Sequence, residues 1–348
     1  MYCLDFISIG GFMYSFKNDY SELCHPEILD FLVKNAKEQF DAYGYDRYSS
    51  SASNLIKKLT NPNADVHFIA GGTQTNIVLI SSILKRHEAV ICCDTAHINV
   101  HETGAIESKG IKLLTCQNVN GKITPNSVED VVFLHTDEHT VKPKLVFISQ
   151  ATELGTTYTI EELANLRQIC DKYNLYLYVD GARLGSAIQS IHGVSLKEIS
   201  KIADAFYIGG TKNGALFGEA LVLINNEFKK DFRYYIKQNG AMLAKSAAVG
   251  IMFYKLFNDS LFFKLATHAN VQALIIQDAL VKKGYKLKVL SNTNQIFPIL
   301  PNSLIEMLKK EFSFHIQEKI NDNESCVRFV TSWATDEKEV KRLVSYFQ

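Results

Sequence analysis

The chain has 348 residues, 47% of them hydrophobic and 21% charged, which is enough to bury a sizeable core and fits a large domain with a smaller companion. Lys plus Arg and Asp plus Glu balance at 37 each, so no overall charge favours nucleic acid or an anionic membrane, and a small-molecule partner is expected. Seven scattered cysteines without paired C-x-x-C spacing read as reduced thiols of a cytoplasmic protein. No apolar run is long enough to span a bilayer, and the apolar start from Met1 to Phe16 lacks the basic region and cleavage site of a signal peptide; it reads as part of an N-terminal arm, residues 1–25, or as a start-site extension.

In chain order, β-branched runs alternate with helical periodicity between Val66 and Ile224, which predicts an α/β fold with a mainly parallel sheet, residues 26–255. Strands are expected at Val66 to Ala70, Ala89 to Cys93, Lys144 to Ser149, Leu175 to Asp180, Ala205 to Gly209 and Ala220 to Ile224. Helices are expected at Thr75 to Lys85 and Ile160 to Tyr173. A mostly helical stretch follows to about Lys283. Short strands near Gln295 to Leu300 and Val327 to Thr331, with a last helix, then suit a smaller α+β domain, residues 256–348. No repeat, low-complexity segment or Pro/Gly-rich linker separates the two, so they should pack closely.

Ligands of open parallel sheets bind beyond the carboxyl ends of the strands, and polar residues gather at those ends here. Asp180 closes a strand that reads as buried; a protonated pyridine nitrogen would satisfy its carboxylate, and so would a helix cap or Arg183. Lys212 follows a strand within Gly210-Thr211-Lys212-Asn213-Gly214, where a partly dry pocket would make its amine nucleophilic toward an aldehyde; alone, a loop lysine reads as a solvated charge, and it is the pairing with Asp180 on a neighbouring strand that favours the pocket. Thr211 beside it is within reach of a phosphate. Gly71-Gly72-Thr73 opens a helix whose N–H groups suit a phosphate, although the loop matches neither a Walker A nor a dinucleotide pattern. His97 and His101 have the i, i+4 spacing of a zinc pair without the accompanying Glu pattern, so no metal is expected; a ring stacked on a cofactor is the better use of His97.

These four elements, in this order, resemble the aspartate-aminotransferase superfold of pyridoxal 5'-phosphate (PLP) enzymes, and within it the threonine aldolase or β-eliminating lyase family. The resemblance runs from about Phe16 to the C-terminus and is most specific at Val179-Asp180-Gly181-Ala182-Arg183-Leu184, Gly209-Gly210-Thr211-Lys212, the loop at 71–73 and Val327-Arg328-Phe329-Val330-Thr331. It implies Lys212 as the Schiff-base lysine, Asp180 as the partner of the ring nitrogen, and His97 as the stacking residue and candidate base. It further implies Gly72 and Thr73 at the phosphate, Arg183 beside the phenolic oxygen and Arg328 on the substrate carboxylate. Family members are symmetric oligomers with sites at a subunit interface, which implies a homodimer or homotetramer with Asn18 and Tyr48 bordering the site.

The implied activity is retro-aldol cleavage of L-threonine or L-allo-threonine to glycine and an aldehyde. β-Elimination, transamination and a non-catalytic protein of the same fold are the alternatives. Three departures bear on the substrate, one of them the divergent start Ser21-Glu22-Leu23-Cys24-His25-Pro26. Where many threonine aldolases carry a Gly-Met-Arg-Gln segment, this chain reads Ala241-Met242-Leu243-Ala244-Lys245, which makes Lys245 the candidate replacement for the missing arginine. After Arg328, the family's Val-Thr-His becomes Val330-Thr331-Ser332-Trp333.

Overall fold

The computed structural model describes residues 13–347, so the start of the expected arm lies outside the described residues. Seven strands form the central sheet in the spatial order Asp65–Ile69, Glu219–Leu223, Ala205–Gly209, Tyr176–Asp180, Lys142–Ser149, Glu88–Cys93 and Lys112–Cys116. The six expected strands are all present within two residues of their anticipated bounds. Glu219–Leu223 runs antiparallel to both neighbours and the other pairs are parallel. Its antiparallel course has a consequence for chemistry. The amino end of Glu219–Leu223 lies at the same edge of the sheet as the carboxyl ends of the others, opposite Gly209 and Ile69.

The inner strands are buried along nearly all of their length, with exposure confined to the first residues of Lys142–Ser149 and Tyr176–Asp180, as expected for a sheet covered on both faces. Helix Gly72–Ile83 and helix Ile160–Lys172 are among those that cover it. The second starts at a capping box in which Thr159 and Glu162 exchange side-chain to backbone bonds, an arrangement that stabilises a helix end by about 1 kcal/mol. The edge strand Lys112–Cys116 was not anticipated: its alternating exposed and buried residues make a weaker apolar run than the inner strands.

A second sheet, built from Lys286–Leu287, Gln295–Ile296, Pro298–Pro301, His315–Lys319 and Glu324–Val330, forms the smaller layer. The first described residues belong to that layer too, because Tyr14–Ser15 pairs with Phe312–Ser313 and Phe16 is buried among Phe312, Phe329 and Leu308. The large core cluster extends to Leu265, and the second takes over from Ala273, so the change of core falls within helix Leu261–Lys282. The anticipated boundary at 255/256 lies inside helix Ala247–Asn258. Among the described residues, no helix is long and apolar enough to cross a membrane.

Candidate active site

At the carboxyl edge of the large sheet lies a cleft of about 310 Å³, whose lining includes Gly72, Thr73, His97, Asp180, Arg183, Thr211 and Lys212. Each of these residues stands at a strand end or in the first turn of the following helix, because that is where backbone leaves the sheet and side chains can converge.

Asp180 is 3% exposed. Its Oδ1 accepts from the Tyr207 hydroxyl at 2.5 Å and from the Ala182 N–H at 3.0 Å, while Oδ2 accepts from the Asn76 amide at 3.3 Å. All three donors are neutral, and no ion pair with Asp180 occurs among the described residues. Two glycines protect this arrangement. A Cβ on Gly181 would stand 1.7 Å from the Tyr207 carbonyl oxygen, and one on Gly72 would stand 3.0 Å from the Tyr207 hydroxyl. The alternative that Arg183 neutralises Asp180 is not what the structure shows: Arg183 is held by Asp19, Nε to Oδ2 at 2.8 Å and Nη2 to Oδ1 at 3.1 Å. Asp19 also accepts from Asn294 of the smaller layer. Burial raises the Asp19 carboxyl, but the charges of Arg183 and Lys212 outweigh it and hold its pKa below the ordinary value.

Lys212 follows the strand Ala205–Gly209 and is half-buried, with its ammonium 6.0 Å from the ring centre of Tyr20. Burial, reinforced by the Arg183 charge, lowers its pKa, and Asp19, Asp180 and Glu219 partly restore it. A lysine of this kind is more readily available as a free amine than one in water. Thr211 donates its hydroxyl to Glu219 at 2.8 Å.

Helix Gly72–Ile83 begins at Gly71, and no side chain caps it, so its first N–H groups and positive end face the cleft beside Thr73. His97 opens the short helix His97–Val100, with its ring Nδ1 2.8 Å from Glu102 Oε1 and its backbone N–H on Glu153. Since a carboxylate can only accept, Nδ1 carries a hydrogen, and in the neutral ring Nε2 is the nitrogen with the lone pair.

Four predicted residues lie outside the lining. Arg328 faces away from the buried Val327 and Phe329, close enough to Arg183, Asp19 and Tyr20 for their charges to act on it. Among the described residues, its guanidinium makes one hydrogen bond, a long 3.5 Å contact to the Lys17 carbonyl, and its buried Nε has no partner. Asn18 is turned back into its own loop, accepting from Tyr20 N–H and the Ser21 hydroxyl. Tyr48 packs against Phe31 and Phe40 and donates to Asn35. Lys245 lines a separate depression with Asn35 and Phe40. Sequence reading missed Asn76, Glu102, Tyr207 and Glu219. Asn76 and Glu102 follow the Gly71 and His97 signals by about one helical turn and had a visible cue in their spacing; Tyr207 and Glu219 had none without the sheet order.

The residues present fit PLP. A buried carboxylate surrounded by neutral donors calls for a cation such as a pyridinium, an uncapped helix end suits a phosphate, and a depressed lysine suits an aldehyde.

Comparison with known proteins agrees with this geometry. Residues 25–297 match the model of the beta-eliminating lyase family. A low-specificity L-threonine aldolase of Pseudomonas aeruginosa is 33% identical over 331 residues, covering 94% of each chain. The solved threonine aldolase of Leishmania major is 44% identical with a TM-score of 0.94, over 96% of this chain and 98% of that one. An aspartate aminotransferase variant of Thermus thermophilus, 14% identical over 96% of this chain and 91% of that one, shares the fold with a TM-score of 0.71. Buried Asp180, half-buried Lys212 and the open helix end thus occur in a chain that belongs to the beta-eliminating lyase and threonine aldolase family.

Proposed function

We propose that this protein is a PLP-dependent aldehyde-lyase that cleaves L-threonine or L-allo-threonine to glycine and acetaldehyde. The observation that carries the reading is Asp180, a buried carboxylate with three neutral donors and no cation, in the same cleft as Lys212. Bound PLP supplies an aldehyde for an amine and a protonated ring that takes up the electron pair of a broken Cα bond.

The chain's residues do the rest. Asp180 would keep the ring nitrogen protonated, Gly72 and Thr73 would meet the phosphate at the helix end, and Lys212 would hold the cofactor through its amine. Arg183, already gripped by Asp19, has Nη1 left for a single contact on the phenolic side. Arg328, whose fork is nearly unoccupied, takes the substrate carboxylate in bidentate fashion. His97, its tautomer fixed by Glu102, accepts the β-hydroxyl proton at Nε2, directly or through a water, as that oxygen becomes the aldehyde carbonyl. The working form is a cytoplasmic homodimer or homotetramer in which a second copy brings Tyr48 and Lys245 to the mouth of the cleft. The exposed Leu29 and Val33 on the neighbouring helix Pro26–Lys34 support a contact on that face.

The test is product analysis with purified holoenzyme. Glycine and acetaldehyde in equal amounts are expected from either substrate. A 2-oxo acid with ammonia would identify an eliminating lyase, and no turnover without visible absorption after PLP addition would refute the enzyme reading.

A further inference from the structure

Glu219 has no task in the reaction described above. It is the first residue of the antiparallel strand, 5% exposed, and lines the cleft with Thr211 and Lys212. Oε1 accepts the Thr211 hydroxyl hydrogen at 2.8 Å, Oε2 accepts the Gly210 N–H at 3.1 Å, and the Gly218 N–H donates to Thr211 Oγ1 at 3.0 Å. A hydroxyl has one hydrogen and two lone pairs. The Thr211 hydrogen is therefore committed, and what the group has left is a lone pair, which repels an anion. A protonated Glu219 reverses the polarity: it donates to Thr211 Oγ1, and the Thr211 hydrogen becomes free to point at an incoming phosphate.

The surroundings allow that protonation. Lys212 faces Glu219 from the loop, Asp180 and Tyr178 from one strand and Tyr207 from the next. Ile69 stands opposite on the third, and Phe253 and Val249 close the Gly210 and Gly218 side with apolar surface. Burial raises the pKa of Glu219, and Asp180 adds to this, against bonds from Thr211 and Gly210 and the Lys212 charge that lower it; the net result is upward.

We propose that Glu219 is a positioning residue for the anion site: where ionised, its carboxylate holds the Thr211 hydroxyl in the anion-free cleft, and it takes up a proton from solvent when a phosphate group binds beside Thr211. This rests on the cofactor reading given above. The probe is 4-deoxypyridoxine 5'-phosphate, which has the ring nitrogen and phosphate but no aldehyde, so Lys212 forms no bond to it. Its binding to the full chain, freed of cofactor, is followed by titration calorimetry in buffers of low and high ionisation enthalpy, from neutral to mildly alkaline pH. Comparison with Glu219→Gln, which cannot titrate, cancels the protons of the ligand itself.

The wild-type protein is expected to take up more protons than Glu219→Gln. Its affinity relative to that variant should fall as pH rises, approaching about tenfold per pH unit for one linked proton. Thr211→Val, which has no hydroxyl to turn, should lose the extra uptake as well and serves if Glu219→Gln does not fold. Tight binding with equal proton uptake in wild-type and Glu219→Gln overturns the inference and leaves the cofactor reading intact. Undiminished uptake in Thr211→Val overturns it too, whereas absence of binding to the wild-type chain overturns both.

Discussion

Asn76 joins the two carboxylates of the cleft floor: its side-chain nitrogen donates to Glu102 at 2.9 Å and to Asp180 at 3.3 Å. The Tyr178 hydroxyl donates to Asn76 Oδ1 at 2.8 Å, which fixes the amide with its hydrogens toward both acids. The group assigned to the ring nitrogen and the group that orients His97 are thus held by one buried amide. Asn76→Ala removes it and leaves Tyr178 without its acceptor. Loss of about 1–3 kcal/mol of stability is expected, the range for buried groups left unpaired, together with lower kcat. Urea unfolding and steady-state kinetics check it; wild-type values in both would make Asn76 incidental.

Asp180→Asn keeps an acceptor for Tyr207 and removes the charge. PLP should still bind, since the phosphate and Lys212 contacts remain, while kcat falls by about a hundredfold or more, the scale of losing one strong electrostatic contact at a reacting centre. Near-normal turnover with bound PLP would reduce Asp180 to a structural residue.

Lys212→Ala should abolish threonine cleavage and borohydride-reducible attachment of the cofactor. Because burial already lowers the amine's pKa, the folded chain gains little from this ammonium, and stability is expected to stay within about 1 kcal/mol of wild type. A reducible linkage surviving in the mutant would place the attachment at another lysine.

Glu219 makes stability pH-dependent in the cofactor-free chain. Its folded pKa lies above the ordinary 4.5, so the folded state binds the proton more tightly. That contribution is fully present below pH 4.5 and is lost as pH rises through the folded pKa. The stability of wild type minus that of Glu219→Gln should therefore decline from acidic toward alkaline pH. A flat or rising difference would show that Lys212 keeps Glu219 ionised throughout.

The anchors were legible in the sequence because each is a local event: a strand running into Asp180-Gly181, another into Gly210-Thr211-Lys212, a glycine turn opening a helix. The residues that were missed act across strands. Glu219 immediately precedes a strand read as another member of a mainly parallel sheet, and only its antiparallel pairing with Gly209 and Ile69 brings the side chain to the cleft. Tyr207 looks like core in an apolar strand, and its role depends on Asp180 being the neighbour. The same limit applies to Arg183, whose sequence neighbour Asp180 suggested a pair, whereas the structure brings Asp19 from 164 positions away.

Arg328 is the residue on which the proposed amino-acid substrate depends most. In Glu324–Val330 its neighbours Val327 and Phe329 are fully buried, so the alternation of the strand turns Arg328 to the other face, opposite His315. Burial and Arg183 depress its pKa, Asp19 and Tyr20 partly offset this, and a guanidinium remains charged under any ordinary condition. A half-buried cation whose Nε has no partner among the described residues and whose side-chain bond there is 3.5 Å long is poorly satisfied, and a carboxylate arriving from the cleft would supply two short bonds. Arg328→Lys keeps the charge and loses the fork. Loss of about 1.5–3 kcal/mol in transition-state binding is expected, or about 10- to 150-fold in kcat/KM for threonine. The visible spectrum of the resting holoenzyme should be unchanged, because Arg328 is assigned to the substrate and not to the cofactor. Unchanged kcat/KM would remove Arg328 from the site, and a lost spectrum would instead show that it supports the cofactor pocket.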